Sequence, residues 1–550
     1  MEKLRQQYLQ QKRIVYISQN DICCGTCTLD QPCLYVLTSD LCFDAPPPSA
    51  AQREANPALA NGWPAALMVV GTDIVLDLAG YTVSQSPHHY LTQRFFALVA
   101  LSDHLFASGA GPPRLNQVQH VRSAHNALVM NGTLGLSSHH GVYGNQTCNV
   151  VLHQLAIQDY EVAAIQLNGP HNALIDHCRC QALCFVPFTP ATSTLMIHAF
   201  FRDGLNPTLE AAVTQLVATW DESAATARAE GLTVPELLRR AAELTGQRLC
   251  CPPTCCLWEL VHNTHGRIDG SAVYGVLVHS AKPAVGALSE ACCTADRGRP
   301  FDNVALLDVT VTHLNLQSTE SALCQPEGGK PEVDSTGALL ELGASELMRQ
   351  VQGAGAGACP VQRQNVDIMG HQAKGIMAVR LDNGSRALVR RLTVRCLENS
   401  SRRTAVVAPN RSAEAAVDSA MGTAFGATYI RGVVVAGVRS ACLDTVSLEQ
   451  LHSPYGVIKG VELLGARDVT VRCVTMRDLS GFYVCGCYIQ SSCGNVKVAG
   501  LRLDSAVATL PAEFGEWERW LPLRRDPQVL AVEAGAGTVV VTETDQLAEG

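Results

Sequence analysis

Three asparagines, Asn126, Asn149 and Asn172, stand 23 residues apart, and each opens a short alternating run of apolar residues. The segments read HNALVMNG (125–132), CNVVLHQL (148–155) and HNALIDHC (171–178). Apolar alternation is the signature of a strand with one face buried. Asparagine at a fixed place before each strand suits a recurring left-handed turn, because its short amide tolerates positive φ and can stack on the next copy. Three short strands and three turns fill about this many residues, the content of one coil of a three-sided solenoid. One such segment could arise by chance. The register returns, however, in 165–172, 461–468 and 488–495, and around Asn303, Arg386 and Ser440. The later steps, 440 to 468 and 468 to 495, are longer, so longer loops are expected there.

Composition agrees with a thin repeat. At 550 residues the chain exceeds the size at which one compact core stops growing, so it is either several domains or an elongated array. Hydrophobic residues make up 47% but aromatics only 5%, which suits narrow layers of small and branched side chains. The net charge of −9 argues against whole-chain steering onto nucleic acid, and no aromatic-basic binding face is apparent. The first 18 residues are polar and charged, unlike a secretory leader, and no apolar run is suited to spanning a membrane. Synthesis in the cytoplasm is therefore expected, with a virion or other particle as a destination. The 23 cysteines then read mainly as reduced small hydrophobes, disulfides being the alternative for a particle or an extracellular protein.

The segments 34–41, 73–83, 141–145 and 149–152 resemble the coils of pectin-lyase-like right-handed β-helix proteins. The resemblance runs over about 14–190 and 262–505, with a weaker likeness to β-helix proteins of large DNA viruses and algae. It implies an all-β, single-stranded right-handed parallel β-helix. It does not imply one activity, since such proteins include lyases, hydrolases, epimerases, tailspikes and non-catalytic proteins.

The expected organisation is an N-terminal cap and first coil over 1–45, coils over 46–188, a helical-hairpin insertion over 189–261, coils over 262–507 and a C-terminal cap over 508–550. The hairpin is read from Asn206-Pro207 as cap and first turn, an apolar stripe from Leu209 to Trp220, and a capping box opening at Thr233. Its role is to cover a flank, or to act as a lid. Long loops are expected near 325–362 and 398–427.

Chemistry is harder to read. The polygalacturonase-type hydrolases among these proteins use three aspartates with Gly-His-Gly and Arg-Ile-Lys elements. Val457-Ile458-Lys459 is similar to the last, but no paired aspartates precede it, which removes the machinery of acid/base glycoside hydrolysis. If the protein is a lyase on an anionic glycan, Lys459 is the candidate base. The stretch from Lys374 to Arg411 is basic, and Arg390, Arg391 and Arg395 are its glycan-binding candidates, because guanidinium forks match carboxylates. The competing reading is a ladder of ion pairs: Arg390, Asp444 and Arg472 share one position of the repeat, and Arg395, Glu449, Arg477 and Asp504 another. Cys251, Cys255, His262 and His265 could form a tetrahedral zinc set, although their spacing fits packing or disulfides as well. His88-His89 and His139-His140 read as turn residues. No cofactor is expected, with zinc or calcium as the alternatives. The function expected is a non-catalytic glycan-binding or structural β-helix, with a homo-oligomer as one form and a polysaccharide lyase as the alternative.

Overall fold

The computed structural model describes residues 13–103, 122–181, 272–281, 299–316, 375–399, 429–508 and 527–547, apart from short gaps at 57–58, 60–61, 87–88, 91–95, 161 and 534. Every pairing between named strands is parallel, and they form a single sheet wound on itself. The chain is a right-handed parallel β-helix, the hand that parallel crossovers adopt when right-twisted strands feed back onto their own sheet.

Three faces run along the coil. The first contains Ile14–Ile17, Leu34–Leu37, Val75–Asp77, His171–Asp176 and Phe301–Leu307, and the opening residues of Cys148–Gln158, Gly384–Asn399, Arg439–Leu464, Arg467–Ile489 and Gly494–Ala508. The second holds Thr82–Gln85, 155–158, Arg179–Gln181, Thr310–Thr312, 392–395, 446–449 and 474–477. The third stacks Ala65–Val69, Ala97–Ala100, His140–Asn145, Ala163–Asn168, Ala272–His279, Gly375–Asp382, Tyr429–Ala436, 457–464, 483–489 and Gln528–Val532.

The repeating asparagines mark the corner where the first face begins. Asn126, Asn149, Asn172, Asn303 and Asn495 all have φ between 50° and 57°. Their amides donate up the stack: Asn149 to Asn126 at 2.7 Å, Asn172 to Asn149 at 2.9 Å and Asn303 to Asn172 at 2.7 Å. These amide bonds are solvent-exposed, so each contributes at most about 0.5–1.5 kcal/mol net, and their role is mainly to fix the register of one coil on the next. Left-handed residues then recur at five-residue steps, as at Asn149, Gln154 and Asp159, turning the chain at closely spaced corners.

Inside, one apolar column of branched side chains runs the length of the coil, from Ile17 and Leu37 through Val150, Leu152 and Ile157 to Val496 and Leu503. The third face presses closely on the second. Its inward column carries Gly141, Gly275, Gly432, Gly460 and Gly486; a Cβ on Gly141 would lie 2.3 Å from Ile157, and one on Gly432 2.7 Å from Leu448. Among the described residues every cysteine is a free thiol, and Cys33, Cys178, Cys180, Cys485, Cys487 and Cys493 are buried. Burial pushes the Cys178 thiol up to about 12, so these act as small hydrophobes.

The segment 528–547, expected within the closing cap, pairs in register as a further coil: Cys485 opposite Gln528, Val496 opposite Val539 and Leu501 opposite Thr544. Its backbone groups complete the ladder instead of merely covering it. The helical hairpin expected over 189–261 and the loop near 325–362 lie outside the described residues, as does the loop near 398–427 beyond Asn399, where the strand Gly384–Asn399 ends. No described helix is long and apolar enough to cross a membrane.

A candidate binding face

The interruptions of the repeat are not scattered around the coil. Residues 182–271 separate the second-face strand Arg179–Gln181 from the third-face strand Ala272–His279. Residues 317–374, 400–428 and 509–527 likewise come immediately before third-face strands. On the other edge, residues 101–124 follow Ala97–Ala100, and 280–300 follow Ala272–His279. By contrast, single left-handed residues such as Gln154, Arg391 and Thr445 join the first face to the second. The third face is the one with long intervals in sequence at both ends of its strands, and connections on a rigid scaffold are where binding residues concentrate.

The outward side of the third face is also the one where polar groups converge. Toward its N-terminal end lies a network of amides and imidazoles. His140, 3% exposed, has Nε2 2.7 Å from Gln166 Oε1, and its Nδ1 is 2.8 Å from His139 Nδ1. Burial depresses the His140 pKa to about 3, so the ring is neutral and Nε2–H is the donor to Gln166. Gln166 in turn donates to Asn168 Oδ1 at 3.1 Å and to His279 Nε2 at 3.2 Å, while His279 Nδ1–H donates to the Ser280 carbonyl at 2.8 Å. Asn168 then donates to the Tyr143 hydroxyl at 2.9 Å and to Asn145. Donors and acceptors match throughout, which makes this a stiff buried floor. His140 thus opens a third-face strand and does not sit in a turn.

Further along the same face is a charged cluster. Glu462, 2% exposed, accepts from Lys459 Nζ at 2.6 Å through one oxygen, and its other oxygen lies 2.6 Å from Arg431. Lys459 Nζ also lies 3.5 Å from the centre of the Tyr488 ring, and the Arg431 guanidinium 4.5 Å from that of Tyr429. The Tyr488 hydroxyl donates to Glu533, whose other oxygen accepts from the Ser491 amide at 2.9 Å. That hydrogen bond, together with burial, holds the Tyr488 phenol at about 12, and burial does the same to Tyr429. One coil back, Arg380 donates to Asp382 at 2.8 Å. The cluster comes together because columns align: Arg431, Lys459 and Cys485 are register partners, and so are Val434, Glu462 and Tyr488.

The other residues singled out by sequence fall elsewhere. Arg390 lies on the first face and donates to Asp444 at 3.0 Å, and Arg472 donates to the same carboxylate at 2.9 Å. Arg391 occupies a corner and forks onto Asp308. Arg395 is on the second face opposite Glu449. The structure therefore does not gather these three into one surface. Cys251, Cys255, His262 and His265 lie outside the described residues. Among the described candidates, Lys459 is the one that lies on the third face, beside Glu462, Tyr488 and Arg431. Arg380 was read only as one member of the basic stretch, and Arg431, Glu462 and the tyrosines around them escaped sequence reading; the signal that could have found them is a polar residue at an outward third-face position in successive coils.

Comparison with known proteins adds only distant likenesses. No family model matches the chain, and no curated protein matches it by sequence. Among solved structures it is similar to the A-module of mannuronan C-5 epimerase AlgE4 from Azotobacter vinelandii, at 6% identity and a TM-score of 0.36, over 96% of this chain and 89% of that one. It is also similar to a family 28 exopolygalacturonase from Yersinia enterocolitica, at 8% identity and a TM-score of 0.31, covering 98% and 75%. A third is the tailspike of E. coli bacteriophage HK620, solved with a pentasaccharide, at 7% identity and a TM-score of 0.28, covering 96% and 65%. The likeness is one of architecture.

Proposed function

We propose that the outward third face, from Gly375–Asp382 to Gln528–Val532, is a glycan-binding platform. The observation that carries this reading is the convergence of planar guanidinium and carboxylate groups with tyrosine rings on one outward face. Sugar rings offer C–H faces that pack on aromatic rings and hydroxyls that bridge charged donors and acceptors. Charge is balanced within the cluster: Arg380, Arg431 and Lys459 stand against Asp382, Glu462 and Glu533. That balance favours a neutral or sparsely charged glycan over a polyanion. Lys459, held between a carboxylate and a ring, serves here as a donor to sugar hydroxyls.

The test is retention of the purified protein on a panel of neutral, uronic and sulfated polysaccharides, with Lys459→Gln and Arg380→Gln set against Arg390→Gln and Arg391→Gln. The first pair is expected to weaken binding at least about tenfold, which is ~1.4 kcal/mol, and the second pair to leave it unchanged. Loss only in the second pair would move the site to the arginine corners. Unsaturated products released from a uronic polysaccharide would replace binding with lyase chemistry.

A further inference from the structure

On the side of the coil away from the charged cluster, a buried carboxylate is bracketed by two imidazoles. His153 and Asp176 are register partners on adjacent coils of the first face, and His177 follows at the corner with φ 51°. Asp176 is 7% exposed; its Oδ2 lies 2.9 Å from His153 Nδ1 and its Oδ1 2.8 Å from His177 Nδ1. The two rings stand 5.8 Å apart at 70° to one another. One ligand atom from each of the three residues can be chosen so that all lie within 4.8 Å of one another. In the register column Met130 precedes His153 and Leu307 follows Asp176, so one apolar residue on each side separates the pair from Asp77 and from Arg390, Asp444 and Arg472 further along. A second carboxylate, Asp308, lies at the next corner, its Oδ2 3.9 Å from His177 Nε2.

We propose that His153, Asp176 and His177 form a binding site for a divalent transition-metal ion of the zinc type, clamping adjacent coils together. Two imidazoles and a carboxylate are borderline ligands that suit zinc, cobalt or nickel, whereas calcium and magnesium want mainly oxygen. Each ring needs only to move its proton from Nδ1 to Nε2 to present a lone pair where it now donates to Asp176. Water completes the set, and with its proton on Nε2 the His177 ring faces Asp308, whose Oδ2 lies 3.9 Å away as an outer partner. The side chain of His177 is 54% exposed and gives an ion a way in, while the side chains of His153 at 19% and Asp176 at 9% hold the rest of the set rigid. Because the ligands come from neighbouring coils, an ion bound only by the folded chain stabilises their stacking.

The experiment uses the full chain, stripped with chelator and alkylated at its thiols, titrated calorimetrically with zinc chloride and then with calcium and magnesium chloride. One zinc per chain is expected, with no comparable uptake of the hard cations. His177→Gln and His153→Gln should each weaken zinc binding by at least about tenfold, by the scale of metal-site substitutions. Cobalt loaded into the unalkylated chain should show a nitrogen–oxygen ligand field without thiolate charge-transfer bands at the first equivalent. Absence of zinc uptake, equal uptake by the two variants, or thiolate bands at that equivalent would overturn the proposal. His177 lies at the surface, so its variant is expected to melt with the parent in chelator; should it not, the cobalt spectrum of the parent decides.

Discussion

Corner positions place a specific demand on single residues. The second left-handed position of each coil is filled by Asn131, Gln154, His177, Asp308, Arg391, Thr445, Cys473 and Gly500, all at positive φ. Asparagine, aspartate and glycine tolerate this conformation, but for Thr445 at φ 58° the branched side chain crowds the following carbonyl, at a cost of about 1–2 kcal/mol. Stacked coils hold it there by over-determining the backbone. Thr445→Asn should therefore raise stability by roughly 1 kcal/mol in chemical denaturation. An unchanged midpoint would mean that the hydroxyl, which donates to Asp444 Oδ1 at 3.2 Å, offsets the strain. The same rule explains what could be read from sequence. Asparagines at the first corner announce themselves at fixed spacing, and through them the register of the first and second faces was legible, including the alignment of Arg390 with Asp444 on the first and of Arg395 with Glu449 on the second. Corners occupied by Gln154, Arg391 or Cys473 carry no such residue signature, and they emerged only from the backbone.

At the scale of strands, the third face was opaque for two physical reasons. Its coils are separated in sequence by segments of very different length, so Tyr274, Arg380, Arg431, Glu462 and Tyr488 share no period although they share a surface. Conversely, the basic run that looked like one patch is dealt around the coil: Arg380 to the third face, Arg386 and Arg391 to corners, Arg390 to the first face and Arg395 to the second. Linear proximity within a coil separates side chains, and proximity across coils gathers them. The glycine column shows how tightly the faces are set. A methyl at Gly432 would meet the Gly460 carbonyl at 2.5 Å as well as Leu448, and backbone cannot swing aside as a side-chain end can. Gly432→Ala is expected to destabilise the protein by about 1–3 kcal/mol, the usual range for overpacking, read as a fall in the denaturant midpoint. A neutral result would show that the second and third faces can separate without loss.

For the molecule as a whole, the consequence of coiling is that each rung touches only its neighbours. The strand 429–436 pairs with 375–382 on one side and 457–464 on the other, and with nothing further along the axis. Stability in such an array is the sum of coil and interface terms, so a local defect need not be shared. The continuous apolar column argues the other way, since side chains packed along the axis transmit displacement. Hydrogen exchange on Gly432→Ala distinguishes the two. If nearest-neighbour coupling governs, amides in 375–382, 429–436 and 457–464 lose protection while those in 125–134 and 148–158 exchange as in the parent. Faster exchange spread evenly from 125 to 504 would mean that the column makes the solenoid one cooperative unit. The local outcome is expected, because among the described residues each strand of this face pairs only with the strands of the coils before and after it. It would also bear on the binding face: a platform built on Arg380, Arg431 and Lys459 spans the very coils that the substitution loosens, so glycan affinity and local protection should fall together while the His153–Asp176 pairing at the other coils remains intact.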